Sequence, residues 1–189
     1  MALHDDLLDL AVRLVGLVAP VVPAGAPAAP AATAPTAVAP PGPTASGAPP
    51  RPEAELRRAI STAYYALFHL LVNASTTRGV ATLDLRPYVA RNFEHRHMLA
   101  VCKRYTGLAV DMTGQPVPAE VQRIANSFVQ LQNARHKADY NVKDSVTPVE
   151  AQTFVQMARD AFSDWGVVAA KPAADTYLTE LLVGGIKER

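Results

Sequence analysis

The sequence predicts an all-α fold, an up-and-down helical bundle. Three observations predict it. Apolar residues recur at helical spacing through most of the chain, no alternating strand pattern exceeds four residues, and prolines and glycines gather between the periodic segments rather than inside them. At 189 residues, one domain is the default. Apolar residues make up 49% and charged residues 19%, which is enough to build a core.

His4 to Val18 reads as a short amphipathic helix. Leu7, Leu8, Val12, Leu14, Val15 and Val18 form its apolar face, and Asp5, Asp6 and Asp9 sit in its early turns. So short a helix is marginal in water and needs a partner surface. Ten of the 16 prolines then fall between Ala19 and Pro50, together with 12 alanines and no charge. Proline every few residues blocks regular helix, so the expectation is an extended, flexible spacer. Setting that tract aside leaves about 157 residues for the fold. The division expected is a first helix over 1–18, a Pro/Ala linker over 19–51 and the main bundle over 52–189.

The second helix is expected from Pro52 to Ala74. Glu53 and Glu55 suit its N-terminal end, Leu56, Ile60, Ala63, Leu67 and Leu71 form its stripe, and Tyr64, Tyr65 and Phe68 widen it. Because Tyr64, Tyr65, Phe68 and Leu70 cover several sides, part of this surface reads as a dimer interface. A loop is expected over Ser75–Leu85. A third helix from Arg86 to Tyr105 carries Tyr88, Phe93, Met98, Val101 and Cys102. After a Gly/Pro-rich loop, a fourth helix from Pro118 to Tyr140 carries Val121, Ile124, Phe128, Leu131 and Ala138. Thr147, Pro148 and Glu150 match an N-cap, a first-turn proline and a capping-box partner. The fifth helix starts there, with Val149, Phe154, Met157, Ala158, Phe162 and Trp165 on its apolar face. A last helix runs from Ala173 to Val183, and Gly184 and Gly185 stop it.

Composition excludes several functions. The net charge of +1 gives no global pull toward nucleic acid or anionic lipid. Cys102, the only cysteine, excludes an intramolecular disulfide and a cysteine-based zinc site. The acidic N-terminus is unlike a secretory signal, and the longest uncharged run carries too many prolines to cross a membrane. The expectation is a soluble, cytoplasmic protein without cofactor or metal. Phosphate-loop, dinucleotide, zinc-protease and serine-hydrolase motifs are absent from the sequence.

The chemistry-bearing residues lie in three helical segments. In Leu131-Gln-Asn-Ala-Arg-His-Lys-Ala-Asp-Tyr140, the stripe Ile124, Phe128, Leu131 extends to Arg135, whose charge needs a partner at the buried face. Asp139 follows by four residues, in ion-pair reach, and His136 and Tyr140 form a second polar column. Ser61, Tyr65 and His69 form an i, i+4, i+8 column on the second helix. The third helix holds Arg86, Arg91, Arg96, Lys103 and Arg104 against one acid, Glu94, with His95 and His97 besides. It is the one basic-leaning helix and reads either as a solvated face or as an RNA-facing patch.

The blocks LRRAISTAYYALFHLL, RNFEHRHMLAVC and LQNARHKADYNV, in this order, resemble the HEPN family (higher eukaryotes and prokaryotes nucleotide-binding). The resemblance covers Leu56 to about Trp165, and His4–Val18 looks like the family's first helix, which makes the Pro/Ala tract an insertion. It implies a small helical bundle of toxin–antitoxin, phage-defence or RNA-processing systems, acting as a homodimer on RNA and beside an antitoxin or other partner protein. Active members of the family are metal-independent endoribonucleases. Their signature is an arginine, four to six residues, then a histidine that does acid–base work while the arginine stabilises phosphate charge. Arg135 matches the arginine. No histidine follows at that spacing, and Asp139 stands near its place. Arg91 and His97 fit the spacing, but on the third helix. The candidates are therefore Arg135, His136, Asp139 and Tyr140 for catalysis, with His69 and His95 from facing helices. Arg91, Arg96, Lys103 and Arg104 are candidates for nucleic-acid contact. The other reading is a non-catalytic HEPN module for dimerisation and for binding a partner or nucleotide, with Arg135–Asp139 as a structural ion pair.

Overall fold

The computed structural model describes residues 2–16, 51–141 and 143–184. Its elements are α1 (Leu3–Val15), α2 (Glu53–Gly79), a single 3₁₀ turn (Leu83–Leu85), α3 (Arg86–Ala90), α4 (His95–Tyr105), α5 (Ala119–Tyr140), α6 (Pro148–Val168) and α7 (Pro172–Val183). Among the described residues, extended pairing is limited to one isolated bridge between Val110 and Pro116. The all-α reading therefore stands. The expected spacer over 19–50 lies outside the described residues.

Helix α2 is the centre of the bundle, in contact with α1, α3, α5, α6 and α7. Its neighbours explain its all-round apolar surface. Tyr64 and Leu67 are fully buried, and Phe68 and Leu70 nearly so, all within one chain. The surplus apolar surface that suggested an interface is thus internal packing, with Tyr65 alone of the four half-buried. Phe128, Ile124 and Leu131 on α5 and Met98 on α4 complete the core. Each such side chain contributes roughly 1.5–3 kcal/mol by leaving water.

Several boundaries differ from expectation, each for a local reason. Helix α1 ends at Val15, where Gly16 adopts φ +70 and returns its N–H to Arg13 O at 3.1 Å. A side chain there would be strained and would meet the Arg51 guanidinium at 3.1 Å. The expected end at Val18 falls outside the described residues. Within the same chain, α1 packs on α2 and α6. Helix α2 continues five residues past Ala74, into the expected loop. Thr76 is buried because its hydroxyl bonds back to Val72 O at 2.9 Å, and Arg78 is tied to Asp175 and to Ala169 O.

The expected third helix is two helices. The chain breaks between Ala90 and His95, with Glu94 extended (φ −96, ψ 133) as the residue before α4. No proline or glycine marks this break. Its effect is to start a fresh helix at His95, with that ring against α2. Tyr88 is left outside, 66% exposed.

Helix α6 begins with the expected reciprocal cap. Glu150 N donates to Thr147 Oγ1 (3.2 Å), and Thr147 N donates to Glu150 Oε2 (2.9 Å). Its buried seam is rotated from the expected face. Ala151, Val155, Ala158 and Ala161 are fully buried, Phe154, Met157, Phe162 and Trp165 flank them, and Val149 is 70% exposed. Small side chains let α6 approach closely, which leaves the aromatic rings at the edges of the seam.

Arg57 closes the seam between α2 and α5. Its Nη1 donates to Ala138 O and Asn141 O, both at 2.9 Å, its Nη2 donates to Asp144 O, and Glu53 holds Nε at 2.8 Å. The last carbonyls of a helix have no intrahelical donor, and here one guanidinium supplies three bonds. Replacing Arg57 by Met is expected to destabilise the fold by about 2–4 kcal/mol in urea unfolding. Glu53→Gln, which keeps the acceptor, should cost far less. Thr147→Ala is expected to cost about 1 kcal/mol in the same measurement.

Candidate functional site

The C-terminal turns of α5 lie against the first half of α2 in antiparallel register. Arg57 meets residues 138 and 141, Ser61 meets Asp139, Tyr65 meets Arg135, and Tyr64 reaches Phe128. This register assembles the site.

Arg135 donates from Nε to Asp139 Oδ2 at 2.9 Å, the pair expected from their spacing of four. Ser61 Oγ donates to the other carboxylate oxygen of Asp139. The Arg135 Cζ lies 4.9 Å from the Tyr65 ring centroid and 5.5 Å from that of Tyr64. A guanidinium so placed gains from the ring quadrupoles, about 0.5–2 kcal/mol for each such contact. Its side chain keeps 20% exposure, so the charge is sheltered yet reachable.

His95 arrives from α4 on the same two tyrosines. Its Nδ1 is 2.5 Å from Tyr64 Oη, and its ring lies 4.4 Å from Phe68 between centroids. Burial, then the positive field of Arg135, then His69, hold its pKa below the ordinary value. His69 stacks on Tyr65 at 6.5 Å, and its pKa is lowered by burial first and by His4 second. Burial pushes the Tyr64 phenol well up, only partly offset by Arg135, so it stays protonated. The site therefore combines one fixed cation with two imidazoles held neutral near pH 7.

The structure thus brings Arg135, Asp139, His95 and His69 together. His136 and Tyr140 lie elsewhere. Their rings pack at a tilt, 5.0 Å between centroids, both residues are exposed, and they line a separate cavity of about 440 Å³ with Asn133, Lys137, Asn141 and Lys143. Consecutive helical positions point about 100° apart, which is why His136 does not share the face of Arg135. Among the basic candidates, Arg91 lies over Tyr88 (5.9 Å), Arg96 holds Glu94 (2.6 Å), Arg104 is paired with Glu180, and Lys103 is exposed. Arg91 sits in the break before α4, so it and His97 do not share a helix, and His97 Nδ1 is 3.7 Å from Glu94.

Sequence reasoning missed two residues that position this region. Arg57 fixes the end of α5, and its only signal was the i, i+4 pair with Glu53. Glu180 is 6% exposed on α7 and accepts from Tyr105 Oη at 2.5 Å as well as from Arg104, which pins α4. Beside it, buried Cys102 contacts Tyr177 Oη at 3.2 Å, and burial pushes the thiol up to about 12, so it is no nucleophile at neutral pH. Among the described residues, no group of three or more His, Cys, Asp or Glu side chains is arranged to hold a metal ion, and no helix is long and apolar enough to cross a membrane.

No family model, curated protein or solved structure matches this chain.

The depressed histidine pKa values carry a stability consequence. The unfolded chain binds protons at His69 and His95 near the ordinary value of 6.5, and the folded chain binds them only at lower pH. The stability due to their neutral forms is therefore complete above pH 6.5 and falls as pH drops below it. The urea midpoint is expected to decrease between pH 7.5 and pH 5.0. The double variant His69→Asn, His95→Asn should show a shallower decrease.

Proposed function

We propose that this chain is a HEPN-type protein acting on RNA, a divergent metal-independent endoribonuclease or toxin-type subunit, with Arg135 and His95 as the working pair. One observation carries the reading. The Arg135 guanidinium lies over Tyr64 and Tyr65, and the His95 ring sits 5.6 Å and 6.1 Å from the same two ring centroids. In this reading His95, from a facing helix, does the work of the histidine missing after Arg135. In the tautomer with its proton on Nδ1, toward the Tyr64 oxygen, His95 has a bare Nε2. It takes the proton of a 2′-hydroxyl, whose oxygen attacks phosphorus while the 5′-oxygen leaves and is protonated by solvent. Arg135 stabilises the charge that builds on the phosphoryl oxygens. Lys103 and Arg91 are the basic candidates free of a carboxylate partner among the described residues, and they offer contacts to the strand. A homodimer belongs to this reading, as does an antitoxin or other partner protein.

A second reading has its own observation. Asp139 already occupies Arg135 Nε and is itself held by Ser61. Such a satisfied pair suits a non-catalytic HEPN module for dimerisation and for binding a partner or nucleotide.

Labelled RNA incubated with the full chain in excess EDTA separates the two. The endoribonuclease reading expects cleavage that falls about 10²–10⁴-fold in Arg135→Ala and in His95→Ala, and only a few-fold in His136→Ala. Wild-type protein that neither cleaves RNA nor arrests growth on expression establishes the non-catalytic module instead. Undiminished cleavage by His95→Ala refutes the assignment of His95.

A further inference from the structure

Ser61, Tyr65, His69, Asn73 and Thr77 recur every four residues, so α2 carries one polar row along its length. The first three belong to the Arg135 site. The last two lead into a cavity of about 310 Å³ between α1, α2 and α3. The start of α1 with His4, then His69, Asn73 and Thr77 on α2, and Arg86 on α3, supply its polar lining. Every ionisable side chain that lines it is a base, and no carboxylate does.

The arginine is held in place. Arg86 donates from Nε to Val80 O (2.9 Å) and from Nη2 to Thr77 O (3.1 Å), and its Nη1 bonds nothing among the described residues. At the start of α1, Asp5 N is bonded to Ala2 O (2.9 Å) and Ala2 N to Asp5 Oδ2 (3.2 Å), which leaves the Leu3 and His4 amides at the positive end of the dipole without intrahelical acceptors. His4 is 9% exposed, and its neighbours across the packing are Phe162 and His69.

We propose that this cavity binds a small oxyanion of the phosphate class, free or as the end of a monoester, with Arg86 as fixed charge and His69 as the group that gains a proton with it. The charges around His69 are His4 from α1, Arg86 from α3, and the more distant His95 from α4 and Arg135 from α5. Burial first and the field of His4 second oppose a proton on His69 until an anion reverses the local sign. His4 also sees Asp5, 3.8 Å away on its own helix, and Arg78, with which it lines a neighbouring cavity. Binding therefore takes up protons and strengthens as pH falls. The anion bridges α1 to α2 and α3, so it clamps a helix whose chain connection to α2 runs through residues 17–50.

Sulfate, a dianion throughout pH 6–8, tests this by calorimetric titration of the full chain. The expected affinity is about tenfold higher at pH 6 than at pH 8, with chloride at matched ionic strength inert. Amide shifts on titration should concentrate in residues 2–5, 69–77 and 86–90. His69→Asn is expected to abolish most of the pH dependence, and Arg86→Gln to abolish binding. Arg86 also secures the end of α2, so Asn73→Leu, which fills the cavity without removing charge, is the second variant and should weaken sulfate at least several-fold. Arg135→Ala should bind sulfate normally, which keeps this outcome separate from the fate of the RNA reading. Tighter binding of ribose 5-phosphate than of inorganic phosphate identifies a monoester, and the reverse order a free ion. Sulfate heats equal to those of chloride, shifts outside these segments, or unchanged sulfate binding in both His69→Asn and Asn73→Leu overturn the proposal.

Discussion

Three main-chain carbonyls, at the end of α5 and in the segment just after it, and one arginine on α2 set the register on which the site depends. Arg57 bonds to Ala138 O, Asn141 O and Asp144 O, so α2 and α5 cannot slide past each other without breaking all three bonds. A slip of one turn would separate Ser61 from Asp139 and the Tyr64–Tyr65 pair from Arg135 together, because all three contacts repeat at four-residue intervals along the same antiparallel seam. Apolar packing alone sets the seam less sharply. Leu67, Leu71, Phe128 and Leu131 tolerate small shifts that a fork of directed bonds does not.

Within that register, electrostatics divides the polar groups into fixed and movable charges. Arg135 carries its charge at every accessible pH and is held by a carboxylate, a hydroxyl behind that carboxylate, and two ring faces. Burial lowers the pKa of both His95 and His69, helped at His95 by Arg135 and then His69, and at His69 by His4. A neutral imidazole beside a fixed cation is the arrangement that can accept a proton while the cation holds a neighbouring anion. The same arrangement makes the histidines sensitive to any anion that enters, since each responds to the sign of the nearest charge.

What the sequence made legible was local. The Thr147–Glu150 cap and the Arg135–Asp139 pair each depend on residues within four positions, and each could be read from spacing. The all-α class followed for the same reason. What it hid was tertiary. Nothing between Ala90 and His95 announces a break, since the break is favoured by what His95 gains against Tyr64 and Phe68. The loop expected over Ser75–Leu85 is helix as far as Gly79, and in it Thr76 is buried with its hydroxyl bonded to Val72 O. The all-round apolar surface of α2 fits an interface or a central helix equally well in sequence, and only its five neighbours decide. Arg57 went unnoticed in the sequence because its carbonyl partners lie more than eighty positions away. His136, adjacent to Arg135 in sequence, lies on a different face, whereas His95, forty positions earlier, shares its aromatic seat.

The polar row on α2 gives this last contrast a wider meaning. A central helix normally hides every face, yet α2 keeps a line from Ser61 to Thr77 at the margin between its neighbours, with Ser61, Tyr65 and His69 half-buried. Burying such a line without partners would be costly. Its first residues meet α5 and α4, and its last residues meet α1 and α3, so each end is completed by different helices. His69 stands at the join, stacked on Tyr65 on one side and lining the α1 cavity on the other. A dianion and one proton on His69 do not cancel, and His69 already acts on the pKa of His95. Occupancy of that cavity is therefore felt at the Arg135 site through the charge on His69 as well as through the position of α1.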